Sequence, residues 1–206
     1  MNTKILVDCG SNLGQGYEEI KILEKGVEMM SSLTKKVLEK YPNKYFVETG
    51  TNIGNSVQLA LDCGFEKVIT MEIDPKKVES VKKRFFKEIE ENKVILLEGD
   101  TVETFPEALK ILDGPATFWL DAHWDEGPQG EYLCPLPIEL EEIQKTSIKN
   151  HTLLIDDRRL FGLSGTTWGH TIDEDGILES IFDINENYKI YYEDGCVPKD
   201  IICAKL

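Results

Sequence analysis

Six carboxylates stand where an apolar run gives way to a polar turn: Glu48, Glu72, Asp100, Asp121, Asp156 and Asp157. In an open α/β sheet ligands bind beyond the carboxyl ends of the strands, so acids at such ends suggest chemistry. Glu48 opens the pattern E-x-G-x-x-x-G, running through Gly50 to Gly54. Its glycines suit a tight turn and close backbone approach at the start of a helix. A dinucleotide fingerprint, G-x-G-x-x-G, seats a pyrophosphate on that helix N-terminus. An acid at the mouth of the turn would repel a pyrophosphate and favour a cofactor with a positive group. Glu72 follows Glu48 by 24 residues and is placed for a ribose diol. Asp156 and Asp157 are adjacent carboxylates at the end of an apolar strand; they repel each other, so a cation or a charge-pairing partner is expected.

The elements that must position these groups alternate strand and helix. Strands are expected at residues 45–48, 68–72, 94–97, 117–120 and 151–155. Helices are expected at about 54–63, from Pro75 through Phe86, at 138–145 and near 173–182. Asp100 is a good N-cap for the helix after the third strand. In the helix that Pro75 opens, Val78, Val81 and Phe85 share one face; Lys76, Lys77, Lys82, Lys83, Arg84 and Lys87 form the solvated one. Residues 188–193 and 201–206, turned at Asp194-Gly195, read as a β-hairpin. Before residue 45 lie a strand at 4–8, the turn Asp8–Gly14, which spells D-x-G-x-x-x-G, and a helical run over 17–41 broken near Gly26. That turn reads as an N-terminal strand and turn in preference to an active-site lining, because no strand with a terminal acid follows at the right distance.

The E-x-G-x-x-x-G turn with Glu72 and Asp100 resembles the class I S-adenosylmethionine (SAM)-dependent methyltransferases. The resemblance covers residues 45–206. It implies a Rossmann-like, doubly wound, mostly parallel seven-stranded sheet with a C-terminal antiparallel hairpin, preceded by a helical extension over 1–44, in one domain of 206 residues. It assigns the donor to Glu48, Gly50, Thr51, Asn52, Gly54, Glu72, Asp100 and Asp121, with Asp100 beside the adenine amino group. The runs L-D-A-H-W and L-I-D-D further resemble the metal-dependent O-methyltransferases of the catechol and macrocin (sugar) types. Carried over, Asp121, Asp156 and Asp157 hold Mg²⁺ or Mn²⁺, and Asp121 and His123 form the catalytic set. In the sugar enzymes the second Asp of L-D-G-D is the base; here His123 takes its place, with an intrinsic pKa of ~6.5. A histidine hydrogen-bonded within its loop, or a further metal ligand, is the competing reading of His123.

Composition narrows the partners. The chain carries net charge −15; residues 1–100 have 15 basic and 17 acidic side chains, residues 101–206 have 8 and 21. A nucleic-acid binder needs a basic footprint, so nucleic acid is not expected. No apolar run approaches ~18 residues, so no membrane span is expected. Five cysteines without C-x-x-C spacing, and no signal-peptide layout at the start, point to a cytoplasmic protein with reduced thiols. The expected activity is metal-assisted methyl transfer to a hydroxyl of a sugar or glycan. A catechol-like phenol is the rival acceptor. An NAD-dependent oxidoreductase, which shares the acid at Glu72, and a non-catalytic binding module are the rival classes. Arg158 orients Asp157, touches an acidic substrate or makes a salt bridge. Trp119 is expected in the core, and Trp124 and Trp168 either pack or stack on a sugar.

Overall fold

The strands are apolar on both faces, as parallel strands covered by helices must be. In the computed structural model, which describes residues 32–123, 133–164 and 168–206, β1 (Tyr45–Thr49), β2 (Lys67–Glu72), β3 (Val94–Glu98), β4 (Ala116–Leu120) and β5 (Thr152–Ile155) run parallel. β7 (Ile201–Lys205) is antiparallel to both β5 and β6 (Lys189–Glu193). The order is β3-β2-β1-β4-β5-β7-β6. Its direction of winding reverses between β1 and β4, where such sheets open a ligand crevice.

One face carries Val47, Met71, Phe118, Leu120 and Ile155 under α5 (Thr101–Ile111), α6 (Leu136–Lys145) and α7 (Glu174–Ile184). The other carries Phe46, Val68, Trp119 and Leu154 under α1 (Lys35–Leu38), α2 (Asn55–Asp62) and α3 (Pro75–Arg84). Trp119 is thus core.

Two helical expectations change in detail. Of the N-terminal run, the described residues hold one short helix, α1, whose start Thr34 caps by accepting the Val37 N–H on its side chain (3.3 Å). The helix opened by Pro75 breaks at Phe85 (φ −111°, ψ 28°), and α4 (Phe86–Glu90) restarts it. The break buries Phe85 while leaving Phe86 exposed. On the solvated face, Lys82 pairs with Glu98 and Lys83 with Glu79, both at the surface. The Asp8–Gly14 turn, residues 17–31 of the helical run, Cys9, Trp124 and most of the Gly/Pro loop after it lie outside the described residues.

Candidate active site

The turn after β1 is strapped to β2. Gly50 and Thr51 donate their N–H groups to the Met71 carbonyl (3.1 and 2.8 Å). Asn52 N–H donates to Glu72 Oε2 (2.7 Å) and Asp74 N–H to Oε1 (2.9 Å). An ionised carboxylate accepts about four hydrogen bonds, so each Glu72 oxygen keeps a further acceptor direction. Gly50 and Gly54 sit at φ +80° and +79°, which a side chain rarely adopts. A Cβ at Gly54 would fall 2.5 Å from the Phe85 ring, and one at Gly50 only 3.4 Å from the Asp121 carbonyl. Arg84 Nη1 donates to the Ile53 carbonyl (2.8 Å) and to Asn55 Oδ1 (3.1 Å), bracing the same turn from α3.

Two of the expected donor-site residues, Glu48 and Thr51, turn inward, whereas Asp100 takes its expected place as a helix cap. Glu48 lies beneath the turn rather than at its mouth: it is fully buried on the α2 face, where Thr70 donates to its Oε2 (2.8 Å). Burial pushes its carboxyl up to about 7, against hydrogen bonds from Ser56 and Thr70. The Thr51 hydroxyl also turns inward, 2.6 Å from Thr70 Oγ1. Asp100 caps α5, accepting the Val102 N–H (3.0 Å).

The ends of β4 and β5 bring the other acids together. A recess of about 240 Å³, counting its open mouth, is lined by Asp121 and His123 after β4, and by Asp156 and Asp157 after β5. Leu120, Leu136, Cys134, Phe161 and Trp168 complete its apolar side. One ligand atom each of Asp121, His123 and Asp157 lies within 4.8 Å of the others; Asp156, Asp157 and Asp200 make a second such group. Asp157 is the common member. Its backbone is left-handed at φ 60°, a strained state for a non-glycine residue. Arg159 Nη1 lies 2.6 Å from its Oδ1, and His123 Nε2 lies 2.9 Å from its Oδ2. The His123 ring rests on Trp168, centroids 4.8 Å apart.

The electrostatics follow from that crowding. Burial, then the charges of Asp156 and Asp157, push the Asp121 carboxyl well up; its side chain is 30% exposed, so solvent tempers the effect. Asp156 is raised by burial and by Asp157. Burial also opposes ionisation of Asp157, but the His123 hydrogen bond and the His123 and Arg159 charges hold it below the usual range. The Ser32 hydroxyl donates to Asp156 Oδ2, while Oδ1 is buried without a hydrogen-bond partner among the described residues. The expected metal trio is therefore split: Asp121 groups with Asp157 and His123, whereas Asp156, whose orphaned buried oxygen suits a hard divalent cation, groups with Asp157 and Asp200.

Sequence reasoning missed Glu139, Arg159 and Asp200. Glu139 lines the recess from α6 and is 1% exposed; Thr49 Oγ1 donates to its Oε2 (3.4 Å), and Oε1 has no partner among the described residues. Its signal was present: Leu136, Glu139, Leu140 and Ile143 keep helical spacing, so an acid stands on an apolar face. Arg158, by contrast, faces away, pairing with Glu174 at 2.8 Å and lying over Tyr192. His151 is structural: its Nδ1 accepts the Ala116 N–H (3.1 Å), and burial lowers its pKa to about 4.

No family model and no curated protein matches the chain. Solved structures do match. The S-adenosylhomocysteine (SAH)-bound methyltransferase PaMTH1 of Podospora anserina superposes with a TM-score of 0.52 at 16% identity, over 79% of this chain and 71% of that one. An O-methyltransferase from Bacillus cereus in complex with SAH gives 0.51 at 15% identity, over 84% and 78%. A methyltransferase from Geobacter sulfurreducens gives 0.53 at 12% identity, over 83% and 74%. The fold is therefore the Rossmann-like fold of the class I SAM-dependent methyltransferases, with its seven-stranded mixed sheet and antiparallel C-terminal hairpin.

Proposed function

We propose that the protein is a SAM-dependent O-methyltransferase assisted by a divalent metal, with a sugar or glycan hydroxyl as acceptor. The observation that carries this reading is the gathering of Asp121, Asp156, Asp157 and His123 around one recess, next to the glycine turn after β1. Glu72, Gly50, Asn52, Gly54, Asp100 and Asp121 are the groups for the donor; Glu48 and Thr51 support the turn from below. Asp121, Asp156 and Asp157 are the groups for Mg²⁺ or Mn²⁺. The donor supplies a methyl group on a sulfonium sulfur, and the metal supplies positive charge that lowers the pKa of an acceptor hydroxyl.

The chain's own part is to position and to move a proton. With Nε2–H donated to Asp157, the accepting nitrogen of a neutral His123 ring is Nδ1; that atom is closed to solvent, so taking the proton of the attacking hydroxyl requires the acceptor to reach it within the recess. Trp168 limits the tilt of that ring. Leu120, Leu136 and Phe161 displace water from the apolar side. That same side favours a second acceptor class, a flat vicinal-diol phenol, which would lay a ring against the partly exposed Phe161, Trp168 being packed in the core beneath His123. Cytoplasmic placement belongs to the reading and is supported by Cys63, Cys134 and Cys203, which are thiols.

Calorimetry with SAM, SAH and NAD tests the donor, and labelled SAM with panels of sugars and phenols, with and without Mg²⁺, tests the reaction. SAH binding, with Mg²⁺-dependent transfer that Asp121→Ala and His123→Ala each reduce at least ~100-fold, is expected. NAD binding without any response to SAH would overturn the reading.

A further inference from the structure

Asp157 is gripped on both oxygens, and the grip begins at the far end of the chain. Arg159, which holds Oδ1, is itself held by Asp200, the residue before β7. Its Nη1 lies 2.5 Å from Asp200 Oδ2, and its backbone N–H donates to Asp200 Oδ1 (3.1 Å). The Arg158 N–H donates to the Asp200 carbonyl (3.0 Å). Asp200 is 1% exposed. Gly195 in the β6–β7 connection makes room for it: a Cβ there would stand 3.1 Å from the Asp200 Cβ. A guanidinium shared by two buried carboxylates, with the Asp156 carboxyl grouped beside them, leaves negative charge in surplus, a poor device for stability alone. The imidazole of His123 is the donor that faces this surplus, on Asp157 Oδ2.

We propose that Asp200 and Arg159 are positioning residues: by fixing Asp157 they hold the His123 ring in one orientation and one tautomer. A hydrogen bond from one ring nitrogen to a fixed carboxylate decides which nitrogen carries the proton and leaves the other to accept one. Without Arg159 on Oδ1 the Asp157 carboxylate is free to turn about its own axis, and the ring loses that anchor. The C-terminal hairpin thereby acts on the recess from a distance. The inference rests on the reading of His123 as the proton acceptor, but its observable belongs to the protein without donor, metal or acceptor.

The test is a long-range proton–nitrogen correlation spectrum of the full chain labelled at histidine, which contains three such rings. Asp157→Asn defines where the His123 signals go when their carboxylate is lost. Asp200→Asn is expected to move them at least halfway to that position, with the His151 signals unmoved and Asp200→Glu restoring part of the shift. Should Asp200→Asn fail to fold, Arg159→Lys, which keeps the charge, carries the same expectation. His123 signals unchanged in these variants, or moving only together with those of His151, would overturn the proposal. If Asp157→Asn itself leaves His123 in place, the dyad does not exist and the base assignment falls as well. A protein that fails to bind SAH but shows the expected shifts would instead remove the methyltransferase reading alone.

Discussion

Glu139 departs far from the chemistry of an exposed acid. Burial pushes its carboxyl up to about 8, and the hydrogen bonds from Thr49 and Thr101 only partly oppose this. In the unfolded chain the same group titrates near 4.5. Between those two values the folded protein holds a proton that the unfolded chain has released, so this residue's contribution to stability falls as pH rises from about 4.5 to 8 and is level outside that window. Glu139→Gln, neutral throughout, removes the decline. Denaturant titrations at pH 5 and pH 8 should show the variant gaining on the parent by on the order of 3 kcal/mol across that interval. A parallel pair of pH profiles would mean that Glu139 is ionised in the fold. Glu48, raised to about 7 on the opposite face of β1, adds a decline of the same sign that persists in the variant.

At the scale of elements, the turn between β1 and α2 is held by packing from α3. Gly54 is the contact point: its positive φ and the 2.5 Å approach of a built Cβ to the buried Phe85 ring leave no room for a side chain. Gly54→Ala should cost about 1–3 kcal/mol in denaturant unfolding and weaken SAH binding, because α3 and the turn must separate. Unchanged stability and unchanged calorimetry would show that the turn tolerates a side chain. The break at Phe85 belongs to the same contact. Periodicity predicts one helix through Phe86, since Val78, Val81 and Phe85 are regularly spaced, but burying Phe85 against Gly54 takes its backbone out of helical geometry.

At the scale of the molecule, the excess of acid in residues 101–206 is partly gathered at one rim of the sheet. A divalent cation bound only by the folded chain raises its stability by mass action, about 2.7 kcal/mol at 100 times Kd. Protons compete for Asp121 and Asp156, whose carboxyls are raised. The rise in Tm with Mg²⁺ or Mn²⁺ should therefore be larger at pH 8 than at pH 6, and Asp121→Asn should abolish most of it. A shift independent of pH, or retained in that variant, would place the ion elsewhere. No helix of the described residues is long and apolar enough to cross a membrane.

The order of strands and helices from residue 45 onward was legible in the sequence, because apolar runs, Pro75 at a helix start and Asp100 at a cap are local signals. So were the acids at strand ends, since a strand places its last residue at the rim whatever its neighbours do. Local signals cannot say which way such a side chain turns or what meets it. Glu48 at the end of β1 turned under α2, and Thr51 turned inward, because the packing of α2 and β2 decides both. Arg159 and Asp200 are 41 residues apart and carry no shared pattern; only the antiparallel return of β7 beside β5 brings them together. Sequence determines the alternation of elements through short-range sterics and periodicity, whereas the partners of each buried charge are set by long-range packing, which the tertiary structure alone decides.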